Sequence, residues 1–173
     1  MKANLEKIRY QIETSCKAMN KETKEVTLIA VSKTKPVELL KEAYKNGCRD
    51  FGENKVQELI DKYDQLPDDI RWHMIGHLQR NKVKYLIGKT YLIHSVDTYK
   101  LAEEISKEAS KKSIDVDILI EVNIAREESK YGVLPEDLFE LINQIRQLNN
   151  VKIKGLMTVA PYTDESETNR QYF

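Results

Sequence analysis

The first apolar run of the chain is Val26-Thr27-Leu28-Ile29-Ala30-Val31, and Ser32-Lys33-Thr34-Lys35-Pro36 follows it directly. The run is short and rich in β-branched residues, which indicates a strand rather than a helix. Because Pro36 suits the first position of a helix, the stretch predicts a strand, a polar turn and a helix in succession. The turn contains no glycine, whereas a nucleotide-binding doubly wound sheet usually has a glycine-rich turn at this point.

This strand-and-helix pattern repeats along the chain. Further short apolar runs, each bounded by turn residues, predict strands at 49–51, 72–75, 91–96, 116–122 and 151–157. Amphipathic helical patterns begin at Pro36, after Asp97 and at Pro135, and residues 3–19 form an additional helix before the first strand. Alternation of this kind implies βα units and a parallel sheet. We therefore predict an α/β fold of the TIM (β/α)8 barrel type with an extra N-terminal helix.

The number of predicted units is smaller than such a barrel requires. Barrels of this type have eight strands and typically about 250 residues, whereas this chain has 173 residues. We expect residues 1–173 to form a single barrel domain that lacks about two C-terminal βα units. The first and last strands would then be unpaired edges of the sheet.

Composition and charge argue against some classes of function. The chain is 40% hydrophobic and 32% charged, and its 28 basic and 28 acidic residues balance. A balanced charge argues against a broad surface for nucleic acid or anionic membrane. The widely spaced Cys16 and Cys48 are typical of reduced cytosolic thiols, and neither a secretory signal nor a membrane-length apolar run is present. We expect a cytoplasmic protein that binds neither nucleic acid nor membrane.

The polar turn after the first strand contains two candidate lysines. Active-site residues of barrels lie at the C-terminal ends of the strands, and Lys33 continues the inward alternation of Ile29 and Val31. A lysine amine can form a Schiff base with an aldehyde once burial lowers its pKa from about 10.4. We expect the Lys33 amine to be sheltered at the barrel mouth. The alternative is that Lys33 and Lys35 are both solvated loop lysines.

The ends of the second and third strands add polar candidates. Asn54 can donate and accept hydrogen bonds in a site, or it can cap the helix that follows. His73 and His77 are four residues apart, as in zinc-binding helices, but the expected glutamate is absent and Gly76 interrupts a helix. We therefore predict no metal site, a hydrogen-bonded structural role for His73 and a pocket-lining role for His77.

Five stretches together resemble a known family, the YggS/PROSC-type pyridoxal phosphate (PLP) binding proteins, also called PLP homeostasis proteins. The stretches are Ala30–Pro36, Phe51–Glu58, Trp72–Lys82, Ser129–Gly132 and Gly155–Thr158. They occur in the family's order and cover nearly the whole chain, so the resemblance is specific even though each stretch alone is weak.

The resemblance implies a single-domain barrel like the N-terminal domain of alanine racemase, with PLP held as a Schiff base on Lys33. It places Asn54, His77 and Met157 around the cofactor and Lys130 at the rim of the site. It also implies a departure, because the family's phosphate-binding serine- and glycine-rich segments and the arginine facing the pyridine nitrogen have no counterpart in these 173 residues. We expect this form to bind PLP weakly or not at all, since such backbone donors supply much of the anion affinity.

The implied function is PLP homeostasis without catalytic turnover, in a monomer that holds PLP and hands it to PLP-dependent apo-enzymes. One alternative is a PLP-dependent amino-acid racemase or a barrel-type Schiff-base lyase. A racemase needs a second base on the opposite face of the ligand, and no catalytic residue of that kind is identified here. Nucleic-acid binding through the basic stretch Arg80–Lys84 is a third class, which the zero net charge disfavours.

Overall fold

The computed structural model describes residues 1–164 and 166–172. Six strands follow an N-terminal helix: β1 (Ala30–Val31), β2 (Asp50–Glu53), β3 (Arg71–Met74), β4 (Leu92–Val96), β5 (Val116–Glu121) and β6 (Val151–Met157). The α-helices are α1 (Lys2–Ala18), α2 (Val37–Lys45), α3 (Val56–Tyr63), α4 (Val83–Leu86), α5 (Tyr99–Lys112) and α6 (Leu138–Ile145). Short 3₁₀ helices lie at Thr23–Glu25, Arg80–Lys82 and Ser166–Tyr172.

The strand order identifies the architecture as part of a barrel. Every strand pairs in parallel with the next one along the chain, in the order β1-β2-β3-β4-β5-β6. A doubly wound sheet would reverse its strand order at a switch point, whereas sequential order is that of a (β/α)8 barrel. The predicted fold and all six predicted strands are confirmed. The first strand is shorter than predicted, because only Ala30 and Val31 pair with β2 and β1 has no second neighbour.

The hydrophobic core lies between the sheet and its helices. Phe51, Trp72 and Ile118 each expose 2% or less of their surface, and they meet Leu40 and Leu59 from α2 and α3. Because side chains alternate along a strand, burying this set fixes which residues face the helices and which face the opposite side. Within residues 1–164 and 166–172, none of the helices has the length and apolar character that crossing a bilayer requires.

The opposite face of the sheet carries a buried polar group near the amino ends of the strands. Arg71 Nε donates to Asp50 Oδ1 over 2.7 Å, and His73 Nε2 lies 3.1 Å from the same oxygen. Since the carboxylate can only accept, His73 donates through Nε2, and its Nδ1 accepts from His94 Nε2 over 2.9 Å. The structural role predicted for His73 is thereby confirmed.

The pKa values of Asp50, His73 and His94 are all lowered. Burial lowers the pKa of His94 from 6.5 to about 4, with a further contribution from the neighbouring His73. Burial also lowers the pKa of His73, although Asp50 opposes the shift. Burial alone would raise the pKa of Asp50, but the hydrogen bonds from Arg71 and His73 outweigh it and lower the pKa. The group is therefore stable with both imidazoles neutral.

We predict that acid destabilises the fold through His94. Its folded pKa lies below its unfolded value, so the unfolded chain binds more protons and stability falls as the pH drops from about 6.5 to about 4. The loss should reach about 3 kcal/mol, since one pKa unit corresponds to about 1.4 kcal/mol. Urea unfolding across this range should show a flatter profile for His94→Gln than for the wild type. His77→Gln, at an exposed histidine, should retain the wild-type slope, and an equal flattening in both variants would contradict the assignment.

Candidate functional site

The turn that carries Lys33 follows β1 at the carboxyl end of the sheet. The Ser32 N–H donates to Gly52 O over 2.9 Å, which extends the pairing with β2 by one bond. The Lys35 N–H then donates to Ser32 O over 3.0 Å, so the chain turns back on itself. Thr34 sits inside this turn with a left-handed φ of +61°, a conformation that non-glycine residues adopt at a cost.

The Lys33 side chain is exposed, and the expectation that it would be sheltered from water is wrong. It makes no hydrogen bond or ion pair within the described part of the chain. The reason is that none of residues 1–164 and 166–172 covers this side of the edge strand: Val31, two residues earlier on the same side, is 53% exposed. Lys35 is exposed as well, as the solvated-lysine alternative predicts for both.

The residue before Lys33 is buried, in a charged cluster that the sequence did not reveal. Ser32 Oγ donates to Glu53 Oε1 over 2.7 Å, and Lys62 Nζ donates to the same carboxylate oxygen over 2.7 Å. Lys62 Nζ also donates to Ser32 O over 2.9 Å. Ser32, Glu53 and Lys62 are 3%, 0% and 7% exposed. We call this group the Ser32–Glu53–Lys62 cluster; it joins the end of β1 to the end of β2 and to α3.

Asn54 and His77 line one cavity of about 550 Å³. The cofactor-binding role expected for both residues stays a prediction. Gly76 makes their approach possible, because a Cβ there would lie 2.5 Å from Asn54 O. The helix that follows begins after Lys55, and no side chain caps its N-terminus, so the alternative that Asn54 is a cap is wrong. Lys82 from the basic stretch also lines this cavity.

His77 connects this cavity to the loop after β5. Its ring stacks on Tyr131 with centroids 3.8 Å apart and planes at 14°. Buried Asn123 fixes the loop, because its Nδ2 donates to Glu127 O over 2.9 Å. Lys130, the predicted rim residue, lies 2.7 Å from Glu127 Oε1 and donates to Val159 O over 3.3 Å. The loop therefore holds Lys130 at the carboxyl end of the sheet.

Met157 is at the end of β6, and it lines a different cavity, of about 520 Å³, with Leu156 and Thr158. In the sheet it pairs with Glu121 of β5. Burial, together with the charge of Asp97, raises the pKa of Glu121 from 4.5 to about 7. Asn54 and His77 thus share a cavity, and the stacking of His77 on Tyr131 links it to the loop that carries Lys130. Neither Lys33 nor Met157 lines the Asn54–His77 cavity.

Comparison with known proteins supplies the family. Residues 3–173 match the model of the alanine racemase N-terminal domain. The pyridoxal phosphate homeostasis protein of Aquifex aeolicus is 47% identical over 170 residues, which cover 98% of this chain and 75% of the relative. The chain therefore spans about three quarters of that relative's length.

Solved structures agree with this assignment. PipY of Synechococcus elongatus, solved with PLP bound, is 34% identical with a TM-score of 0.76, over 93% of this chain and 79% of PipY. Alanine racemase of Clostridium difficile shares the fold with a TM-score of 0.71 at 15% identity, over 85% of this chain and 41% of the racemase. The family model, the sequence identity and the sequential parallel sheet together establish that this chain belongs to the pyridoxal phosphate homeostasis protein family, whose fold is that of the alanine racemase N-terminal domain.

Proposed function

We propose that this chain binds pyridoxal phosphate through Lys33 and serves PLP homeostasis without catalytic turnover. The observation that carries the proposal is the position of the Lys33 amine: it has no partner among the residues that the structure describes, and it stands on a fixed turn at the carboxyl end of β1. The PLP-bound relative, PipY, supports the choice of ligand. We further propose residues 1–173 as one PLP-binding domain, because a single hydrophobic cluster joins α2 to α6.

The donor set at this end of the sheet fits an anionic aromatic aldehyde. When bound, PLP would supply an electrophilic aldehyde carbon, and Lys33 is the residue whose amine would hold it. Asn54 offers an amide and His77 a ring at the wall of the neighbouring cavity. Lys130 contributes a cation at the rim, where a phosphate arriving or leaving would meet it. Met157 would contribute an apolar wall from β6.

The compartment and partners follow from the same proposal. Cys16 and Cys48 are buried free thiols, which favours a reducing, cytoplasmic environment. A protein that stores PLP needs recipients, and we propose PLP-dependent apo-enzymes in that role, with the carrier acting as a monomer.

A proton-transfer enzyme is the second candidate, and Glu121 is the observation that favours it. A carboxyl with a pKa of about 7 holds a proton for part of the time at neutral pH, as a general acid requires. Racemisation needs two bases on opposite faces of the ligand, however, and Glu121 supplies one candidate only. We therefore expect no turnover of L-amino acids by the PLP-treated chain, and turnover that Lys33→Ala abolishes would favour the enzyme instead.

We predict that PLP labels Lys33 selectively. The chain is treated with excess PLP, because the expected affinity is weak, then reduced with borohydride and digested for peptide mass spectrometry. The adduct should be on Lys33, and Lys33→Ala should abolish it. Lys35→Ala is the matched control, since Lys35 is also exposed and lies two residues along the same turn. The amount of adduct on Lys33 in this variant should equal that in the wild type. Uniform labelling of exposed lysines would refute the proposal.

We also predict that Glu121→Gln stabilises the fold at alkaline pH. The folded pKa of Glu121 is raised, so the folded state binds the extra proton and stability declines as the pH rises from about 4.5 to about 7. Removing the charge should therefore raise the free energy of unfolding at pH 8 by about 1–2 kcal/mol, a value reduced for the partial exposure of the group, with little change at pH 4. Urea unfolding at both pH values measures it. Glu128→Gln, at an exposed position, should show no such difference; a gain in Glu121→Gln that is equal at both pH values would contradict the assignment.

A further inference from the structure

The Ser32–Glu53–Lys62 cluster lies directly beneath the turn that carries Lys33. Ser32 makes two hydrogen bonds within this cluster: its hydroxyl donates to Glu53, and its carbonyl accepts from Lys62. Glu53 Oε2 is buried and has no hydrogen-bond partner among the described residues. The cluster therefore places two charges where water does not reach them.

Stability alone does not account for these charges. Replacing a buried ion pair by apolar residues of similar volume is often neutral or stabilising, because the desolvation of both ions offsets their attraction. An apolar pair could fill the same space between β2 and α3. It could not hold the Ser32 hydroxyl and the Ser32 carbonyl at the same time, which Glu53 and Lys62 do at 2.7 Å and 2.9 Å.

A second contact from α3 holds the other side of Lys33. The Thr34 N–H donates to Glu58 Oε2 over 2.7 Å, and this bond lowers the pKa of the Glu58 carboxyl. Glu58 in turn lies 3.4 Å from Lys62 Nζ. The backbone is thus fixed on both sides of Lys33, including the left-handed Thr34, while the Lys33 side chain itself stays unpaired.

We propose that Glu53 and Lys62 are positioning residues, which fix the backbone of the turn so that the Lys33 amine is presented to the aldehyde of PLP. The inference rests on the proposed function for its ligand. The physical basis is the fraction of time that the turn spends in the geometry that binds PLP. The apparent affinity is reduced in proportion to that fraction. Glu58 assists by fixing Thr34.

Three variants test the inference. Lys62→Met removes the charged donor and keeps the length of the side chain. The double variant Glu53→Gln with Lys62→Met avoids leaving a buried charge without its partner. Glu58→Ala removes the bond to Thr34 and the longer ion pair with Lys62 at a partly exposed position, so it keeps the test open if the buried variants fail to fold. Arg71→Met is the matched control, because it also removes the cation from a buried carboxylate, Asp50, near the opposite end of the sheet.

Two readouts are compared at matched folded fractions. The first needs no PLP: hydrogen exchange of the peptide that spans residues 30–36, measured by mass spectrometry. The second is the yield of borohydride-trapped PLP on Lys33. Lys62→Met and the double variant should each speed exchange at Thr34 and Lys35 and lower the trapping by about tenfold, if the turn is competent about a tenth of the time. Glu58→Ala should change both in the same direction, by less.

Wild-type exchange and trapping in the folded Lys62 variants would overturn the inference. An equal loss in Arg71→Met would also overturn it, because the effect would then be one of general destabilisation. The proposed function fails separately, if the wild-type chain traps no PLP on Lys33. If the turn nevertheless exchanges faster in the Lys62 variants, the choice of ligand is wrong and the fixing of the turn by Glu53 and Lys62 is still supported.

Discussion

The burial of one face of a parallel sheet against its helices is the constraint on which the rest of this molecule depends. Parallel strands need crossover connections, and right-handed crossovers place every helix on the same side when the strands follow in sequential order. Phe51, Trp72 and Ile118 fill that layer. All six strands then end at one edge of the sheet, and residues far apart in the sequence, such as Lys33, His77 and Met157, reach the same end of the fold.

The same constraint explains why polar residues occupy the other side. Asp50 alternates with Phe51, and His73 alternates with Trp72, so burying the aromatic residues places the polar ones on the opposite face. Once there, they are buried and hydrogen-bond to one another, as the His73–His94 contact of 2.9 Å shows. The polar group is a consequence of the register, and burial lowers the pKa of both histidines.

The sequence predicted the fold well because the fold depends on local periodicity. Apolar runs and turn residues identify each strand, and sequential strand order follows from the repeated unit. The surroundings of Lys33 were not predictable in this way. Its exposure depends on which neighbour covers β1, a tertiary fact that alternation cannot express. Lys62 gave no signal either, because a lysine in an amphipathic helix usually points to solvent, and only the packing of α3 against β2 buries it beside Glu53.

Strand alternation explains how the buried Ser32–Glu53–Lys62 cluster lies next to the exposed Lys33 amine. Ser32 belongs to the side of β1 that faces the helices, so it can be held by Glu53 and Lys62 in the low-dielectric layer. Lys33 is one residue later and therefore on the open side, where its amine is exposed and meets no partner in the described part of the chain. Both amines are exposed, so burial of the amine itself cannot be what distinguishes Lys33 from Lys35. What differs is how the preceding residue is held: Ser32, before Lys33, is held by the two buried groups of Glu53 and Lys62, whereas Thr34, before Lys35, is held by the partly exposed Glu58 alone. Under the proposed function, the gain from a fixed approach geometry is of the kind that makes an intramolecular reaction faster than its bimolecular counterpart.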